Sequence, residues 1–280
     1  MPNNILRYCM VTCLGILITS SAAYINQNQS PAGSVSAIVG NAMVKRQLAE
    51  KWLKAKIRLP VFENDSVSTE EESRCELSLT GDKIIRLGEN STAVIAAFQK
   101  NVTKIKAAQG SVWINVKHLV NNRSFEIASP TAVAAIRGTV FSINCDTNTT
   151  QFSVFRGAVA VTTQKNSNAF KDSTFLVTTG RQITLVKDLN MYLKDQEKTF
   201  RNFMQQSQAE LDTFERQDLE AFEKYKQDMQ EQINKMISDE RNAFKTFGTT
   251  YYALRKIDTV KNAKNDWVQW NLARDKLLGW

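Results

Sequence analysis

Few side chains in this sequence could carry catalysis. The only histidine, His118, follows the alternating run 111–117 and would be half exposed at the end of a strand. The sequence holds no histidine and cysteine spacing suited to a metal ion, and no cysteine–histidine pair suited to nucleophilic chemistry. The residue types therefore predict a protein that is not an enzyme and that binds no cofactor or metal.

Two other groups of polar residues resemble chemistry only superficially. The acidic run Glu70–Glu72 follows the turn-like segment "DSVST" and is most simply a solvated loop. The segment "GTVFS" offers the hydroxyls of Thr139 and Ser142, but no base stands beside them in the sequence. Phosphate-binding, dinucleotide-binding and calcium-binding loop motifs are also absent from the sequence.

The four cysteines fall into two pairs. Cys9 and Cys13 lie in the apolar N-terminal segment, whereas Cys75 and Cys145 alternate with apolar residues in predicted strands. That alternation places both later side chains in the core. Two alternatives follow for this pair, a single disulfide bond in an oxidising compartment or two buried free thiols.

The N-terminus has the features of an export signal. Arg7 precedes the apolar stretch 8–18, and the small residues Ser21, Ala22 and Ala23 follow it. The pattern predicts cleavage after Ala23 and an exported protein of the periplasm or cell envelope. The alternative is an uncleaved inner-membrane signal anchor, although the apolar stretch is shorter than the roughly 20 residues of a membrane span. Membrane contact is expected only through this segment, if it is uncleaved.

The charge distribution divides the chain near residue 188. The whole sequence carries a net charge of +8. Residues 24–187 hold 20 basic and 12 acidic residues, a net charge of +8, and residues 188–247 hold 9 and 13, a net charge of −4. The positive charge of the first part is spread along strands, with no basic tract and no aromatic platform for bases. Nucleic acid is therefore not an expected partner.

A polar linker, residues 24–33, precedes a region that is β throughout, residues 34–187. Short alternating apolar runs are separated by turn residues, without long helical segments between them, which favours a β-sandwich or β-roll. Five of the runs follow or surround a glycine, and we expect a corner at each one: Gly40, Gly110, Gly138, Gly157 and Gly180.

The remainder of the chain, residues 188–280, reads as a helical extension. Apolar residues recur at steps of three, four and seven over about 190–247, which predicts one long amphipathic helix. A helix of that length either folds back as a helical hairpin or serves as a coiled-coil arm for self-association. A shorter helix is predicted over about 251–278, with Trp267 and Trp270 on its apolar face.

Several motifs of the β region occur in a recognisable order. "SVSAIVGNAMVKR" comes first, "QGSVWINV" and "SPTAVAAIRGTVFSI" follow, and "TTQFSVFRGAVAV" comes last. With these motifs, residues 34–187 resemble the FecR domain, the periplasmic sensory module of bacterial iron-siderophore signalling. The resemblance marks six residues as fold determinants first and as a partner surface second: Pro130, Arg137, Gly138, Thr139, Phe141 and Gly157.

The sequence also departs from that family. Fewer than ten residues precede the apolar N-terminal stretch, which leaves no room for a tail that binds a sigma factor. We therefore expect a non-catalytic exported protein that binds an envelope protein or glycan and that self-associates through the helix over 190–247. The alternative is a sensory component of an iron-uptake signalling system that lacks its own cytoplasmic output.

Overall fold

The structure is a computed structural model that describes residues 30–80, 82–99, 102–117, 124–136, 138–163, 174–205 and 219–279. From residue 31 onward, the described residues belong to one compact unit. The fold is mostly β with a C-terminal helical region, as predicted. The strands are β1 (Gly33–Val39), β2 (Ala42–Lys45), β3 (Leu53–Lys54), β4 (Pro60–Val61), β5 (Ser66–Thr69), β6 (Arg74–Leu79), β7 (Lys83–Leu87), β8 (Thr92–Gln99), β9 (Val102–Val116), β10 (Ser124–Ala128), β11 (Ala132–Ile136), β12 (Val140–Cys145), β13 (Thr149–Arg156), β14 (Ala158–Thr163), β15 (Thr174–Thr178), β16 (Arg181–Val186), β17 (Lys245–Phe247) and β18 (Thr250–Lys256). The helices are α1 (Leu189–Gln205), α2 (Leu219–Ala243), α3 (Thr259–Lys264) and α4 (Asp266–Leu277).

The strands form two sheets that share one long strand. The first sheet has the order β4-β1-β6-β7-β9-β12-β13-β16-β18-β17. The second has the order β3-β2-β5-β8-β9-β10-β11-β14-β15. Among these pairings only β9 with β10 is parallel. One apolar cluster draws its side chains from both sheets, so the core lies between them.

The glycine corners are the points at which the chain passes between the sheets. All five predicted corner glycines have positive φ. At Gly110, φ is 85°, and β9 changes from the second sheet to the first. A Cβ at this position would lie 2.6 Å from the Cα of Ser91, so only glycine fits the crossing without a shift. At the other four glycines one strand ends and the next begins in the opposite sheet.

The helical extension differs from the prediction in its long segment. Arg241 Nη1 donates to Asn190 Oδ1 over 3.1 Å, and Arg201 Nη2 donates to Gln230 Oε1 over 3.1 Å. Because low residue numbers in α1 meet high numbers in α2, the two helices are antiparallel. A single helix over 190–247 is therefore wrong, and the helical hairpin is the alternative that the structure shows.

The predicted helix over 251–278 is also wrong in its first part. Residues 250–256 form β18, whose residues 251–256 pair with all of β16 and extend the first sheet beyond residue 187. Tyr251 and Tyr252 favour a strand, and Gly248 supplies the turn from β17 with a φ of 55°. A free strand edge at β16 thus outweighs the weak helical pattern of this segment. Helix α4 then begins at its N-cap Asn265, whose side chain accepts from the backbone of Val268.

None of the described helices combines the length and the hydropathy that a helix needs to cross a membrane.

Candidate binding site at the edge of the first sheet

The described residues of the glycine motif are structural. Gly157 has a φ of 84°, and a Cβ there would lie 2.8 Å from the carbonyl oxygen of Gly138. Thr139 is fully buried, and its hydroxyl donates to the carbonyl of Ala158 over 3.0 Å. The two corners therefore lock against each other, and neither presents a functional group to solvent.

The other predicted site residues fall in different places. Phe141 is buried in the core, and Pro130 is half-buried in the turn between β10 and β11. Arg137, His118 and the predicted cleavage site at Ala23 lie outside the described residues. A partner surface at this motif stays a prediction.

Both later cysteines are free and buried, which is the second of the two alternatives for this pair. Cys75 in β6 and Cys145 in β12 face the core between the sheets, as their alternation predicted. Burial, with the nearby charge of Glu76, raises the pKa of the Cys75 thiol to about 12. Burial, with the charge of Asp146, raises the pKa of the Cys145 thiol to about 12. Both groups are thus inert neutral thiols near neutral pH.

A row of polar and aromatic side chains crosses the outer face of the first sheet. Glu76 of β6 stands directly opposite Arg86 of β7, which stands opposite Trp113 of β9. All three side chains are buried. Arg86 Nε donates to Glu76 Oε2 over 2.7 Å, and Ser36 Oγ donates to Glu76 Oε1 over 2.7 Å.

Helix α4 covers this row and completes it. Asp275 accepts from Arg86 Nη1 over 2.6 Å and from Trp113 Nε1 over 3.1 Å. Arg274 donates from Nε to Glu76 Oε2 over 3.0 Å and from Nη2 to Oε1 over 3.1 Å. The two guanidinium groups balance the two carboxylates, so the charges of this cluster cancel. We call these residues, Glu76, Arg86, Trp113, Arg274 and Asp275, the clamp.

The clamp shifts the ionisation of its members. Burial alone would raise the pKa of the Glu76 carboxyl. Hydrogen bonds from Arg274, Arg86 and Ser36, together with the charge of Arg86, outweigh burial and lower that pKa below its ordinary value. The hydrogen bonds to Glu76 raise the pKa of Arg274, against a smaller opposing effect of burial. Glu76 is therefore ionised near neutral pH despite its burial.

Not every buried polar atom on this face of the first sheet is paired. Among the described residues, Arg86 Nη2 and both amide atoms of Asn115 are buried without a hydrogen-bond partner. Asn115 lies two positions beyond Trp113 on β9. Unpaired buried groups are costly, so this face depends strongly on the bonds that the clamp does make.

An aromatic and cationic layer lies beside the clamp. The rings of Trp267 and Trp270 are stacked with centroids 5.7 Å apart. The Arg74 guanidinium lies 5.1 Å from the Trp270 ring and 5.8 Å from the Trp267 ring, and it forms an ion pair with Asp266. Gly88 lies against the Trp267 ring, because a Cβ at this position would lie 3.4 Å from Trp267 Cε2.

A cleft of about 760 Å³ opens where this layer meets the start of β6, the end of β7 and Ser111 at the corner of β9. We call it the rim cleft. Its lining combines an indole ring with carboxylates and cations, chiefly Glu72, Glu89, Lys264, Asp266 and Trp267. Glu89 Oε2 accepts from the backbone of Glu72 over 3.2 Å, which holds the acidic loop at the cleft edge. The acidic run predicted as a solvated loop is exposed, and its last residue borders this cleft.

Within the described ranges, no three histidine, cysteine, aspartate or glutamate side chains are grouped so that they could hold a metal ion.

Three of the five glycine corners (Gly110, Gly138 and Gly157), the shared strand β9 and the strands from β6 to β13 lie in one continuous stretch of chain. Residues 65–160 match the family model described as FecR protein. The FecR match covers about a third of the chain and includes both Gly138 and Gly157. It confirms the resemblance over this stretch, which is narrower than the predicted region 34–187.

Two crystal structures of "a putative anti-sigma factor from Parabacteroides distasonis ATCC 8503" are similar to this chain. Each has 15% sequence identity and a TM-score of 0.37, and the alignment covers 43% of this chain and 54% of that chain. This chain thus spans about half the length of the structures that it matches. No curated protein matches the sequence.

The sequence did not reveal the clamp residues. Glu76 and Arg86 alternate with core residues along their strands, at positions that normally face solvent. Charged residues there are expected to be exposed surface residues. Their partners on α4, Asp275 and Arg274, lie 189 and 198 positions later in the chain. The one local signal is the composition of α4, where two tryptophans share a short helix with Arg274 and Asp275.

Proposed function

We propose that this FecR-type protein is a non-catalytic binding module of the bacterial cell envelope and that its ligand occupies the rim cleft. The FecR match supports the class of module, because that family acts in the envelope. The predicted export signal supports the compartment. The β region and α4 form one binding unit, since the clamp holds the helix across β6, β7 and β9.

The observation that carries the proposal is the composition of the rim cleft. Its volume of about 760 Å³ lies in the range of small-molecule and oligomer-segment sites. Carboxylates at Glu72 and Glu89 accept hydrogen bonds from hydroxyl groups, and Lys264 donates to oxygen acceptors. The Trp267 ring offers an apolar face beside them. A glycan segment, with many hydroxyls around apolar ring faces, suits this combination better than an apolar ligand.

A co-sedimentation assay with purified cell-wall glycan tests the proposal. The full chain is compared with Glu89→Gln and Lys264→Gln, which keep shape and remove charge, and with Asp239→Asn on the hairpin as a matched control. Each cleft variant is expected to weaken binding about 10- to 100-fold, since hydrogen bonds to charged groups contribute about 1.5–3 kcal/mol. The control keeps full binding. Equal binding by all variants would overturn the glycan site in the cleft.

A second candidate function is contact with a partner protein or a second copy through the helical hairpin. The base of the hairpin is fixed, because Tyr192 donates to Glu240 over 2.9 Å and Arg255 pairs with the same carboxylate at 2.9 Å. Met191 and Leu219 are exposed large apolar side chains on its two helices. These two side chains lie near opposite ends of the antiparallel helices, so the docking role rests on the fixed helix pair as a whole and not on one apolar patch.

Light scattering on the full chain tests self-association of the hairpin. Removing residues 190–280 is not a usable test, because it also deletes β18 and the Asp275 side of the clamp. The variant Met191→Gln with Leu219→Gln changes only exposed side chains. An oligomer that this variant dissociates supports self-association, and a monomeric wild type contradicts it.

A further inference from the structure

We infer that residues 48–58 form a docking surface for the anionic headgroup layer of a phospholipid bilayer. We call these residues the basic–apolar strip. The inference rests on a different part of the molecule from the rim cleft and does not depend on the proposed function. Its sequence is "LAEKWLKAKIR", which holds four basic residues and one acidic residue.

Large apolar side chains of the strip point into solvent. Leu48 is 92% exposed, Ile57 60%, Leu53 49% and Trp52 40%. These are four of the thirteen large apolar side chains that are exposed among the described residues, and they fall within ten positions. Such a cluster marks an interaction surface, because single scattered apolar residues are the normal surface condition.

Cations surround these apolar groups and are unpaired. Lys51, Lys54, Lys56 and Arg58 are exposed, and among the described residues none of them forms an ion pair. Arg46, just before the strip, differs because it pairs with the buried Asp65. The strip therefore adds a local excess of positive charge to its apolar surface, and an anionic partner is the complement.

The backbone of the strip is tied to the folded sheet. Strand β3 pairs with β2 at the edge of the second sheet, where Met43 faces Lys54 and Val44 faces Leu53. Ala55 is buried and donates to the carbonyl of Ala42 over 2.8 Å, and Arg58 donates to the carbonyl of Val35 over 2.8 Å. The side chains are thus presented from a fixed base, and their substitution leaves the core intact.

The mixture of side chains favours a lipid surface over a protein partner. Protein interfaces are depleted in lysine at their centre, whereas here three lysines alternate with the apolar groups. At a bilayer surface, lysine and arginine place their charges among anionic headgroups while their stems and neighbouring apolar residues enter the boundary layer. Tryptophan prefers the same depth. Lysines between apolar anchors are therefore compatible with a membrane and unfavourable in a dry protein interface.

Vesicle co-sedimentation of the full chain tests the inference. The vesicles contain phosphatidylcholine alone or with phosphatidylglycerol, and the strip variant carries Lys51→Gln, Lys54→Gln and Lys56→Gln. The control variant removes the same charge from the hairpin through Lys198→Gln, Lys224→Gln and Lys235→Gln, which are all exposed. Both variants keep the same N-terminal segment, so any contribution of that segment cancels.

The strip variant is expected to bind phosphatidylglycerol vesicles about 100-fold more weakly than wild type, since each cation near an anionic surface contributes about fivefold. The hairpin control keeps its binding within about threefold. Leu48→Gln with Ile57→Gln also weakens binding, whereas a purely electrostatic contact would be unaffected. In wild type, vesicles shift tryptophan emission to shorter wavelength, and Trp52→Phe removes that shift.

Two results would overturn the inference. Equal losses in the strip and hairpin variants would show a general charge effect with no defined surface. Equal binding by wild type and both variants would show that the strip does not contact lipid. An acidic protein would then be the expected partner of the strip. Retained secondary structure and unfolding temperature in every variant would confirm that each comparison concerns folded protein.

Discussion

Arg86 and Asp275 stand 189 positions apart in the sequence, and their side chains meet at 2.6 Å between Nη1 and Oδ1. This contact joins the second half of a β-hairpin to the last helix of the chain, and it is buried on both sides. The C-terminal helix is therefore a structural part of the first sheet. The N-terminal end of the same helix forms one wall of the rim cleft, so the contact helps to hold that wall in place.

Arg86→Met is expected to destabilise the protein by about 3–5 kcal/mol, because it leaves Asp275 buried without its cation. Urea unfolding followed by circular dichroism measures the change. Arg201→Met is the matched control, since its ion pair with Glu197 lies on the surface and contributes less than about 1 kcal/mol. Arg86→Met with Asp275→Leu should recover part of the loss. A single variant within about 1 kcal/mol of wild type would contradict the clamp.

The corners of the β region could be predicted from the sequence because each depends on local chemistry. A glycine inside an alternating apolar run indicates a bend, and all five such glycines have positive φ at a passage between the sheets. The stretch 149–163, for example, contains the predicted corner Gly157 and forms two strands of opposite sheets, β13 and β14. The positions of the corners between the two sheets can therefore be predicted from residue types, whereas the pairing of the strands cannot.

The clamp and the β17–β18 pair could not be predicted, because the residues that they contact are distant in sequence. Glu76 and Arg86 occupy strand positions that are typical of a solvent-exposed face. No sequence feature near them predicts that a helix covers this face. Residues 250–256 have a weak helical pattern, but they form a strand because they pair with the otherwise unpaired edge of β16. Tertiary pairing outweighs local propensity at such positions.

Acid is expected to weaken the clamp through Glu76. The pKa of this carboxyl is below its ordinary value of 4.5 in the folded protein, so its contribution to stability is complete above pH 4.5. That contribution is lost as the pH falls through the lower folded pKa. The difference in free energy of unfolding between wild type and Glu76→Gln should therefore be largest near pH 7 and shrink below pH 4.5.

Denaturant titrations at a series of pH values measure this dependence. Glu223→Gln serves as the control, because Glu223 pairs with Lys226 on the exposed surface of α2. Its difference from wild type should stay small at every pH. If the difference in free energy of unfolding between wild type and Glu76→Gln is constant from neutral to acid pH, the charge of Glu76 does not contribute to the stability of the clamp.

The corner at Gly157 is expected to resist substitution more strongly than the corner at Gly180. Both residues have positive φ, of 84° and 76°, so alanine at either position costs about 1–2 kcal/mol from backbone conformation alone. Only at Gly157 would the added Cβ meet the Gly138 carbonyl oxygen at 2.8 Å, whereas Gly180 has nothing within 4 Å. Gly157→Ala should therefore lower the free energy of unfolding by about 1–3 kcal/mol more than Gly180→Ala does.

Thermal unfolding of the two alanine variants separates the conformational effect from the steric one. The pair is matched, because the substitution and the sign of φ are the same. If Gly157→Ala and Gly180→Ala lower the unfolding temperature equally, the two corners at Gly138 and Gly157 are not locked against each other.

Cys75 and Cys145 are expected to resist alkylation in the folded protein. The thiolate is the reactive form, and with a pKa of about 12 only about one thiol in ten thousand is ionised at pH 8. Burial also blocks the reagent, since both residues face the core between the sheets. Iodoacetamide should therefore label neither position natively and both positions in urea, as mass spectrometry of the peptides will show.

The same experiment distinguishes free thiols from a disulfide, because a disulfide also prevents labelling in the native state. In urea without reductant, free thiols react at once, whereas bonded cysteines stay unlabelled until reductant is added. Labelling in urea alone confirms two separate thiols whose stabilising role is packing. A linked peptide pair containing Cys75 and Cys145 would contradict the structure, and it would require strands β6 and β12 to approach each other more closely than two intervening strands, β7 and β9, allow.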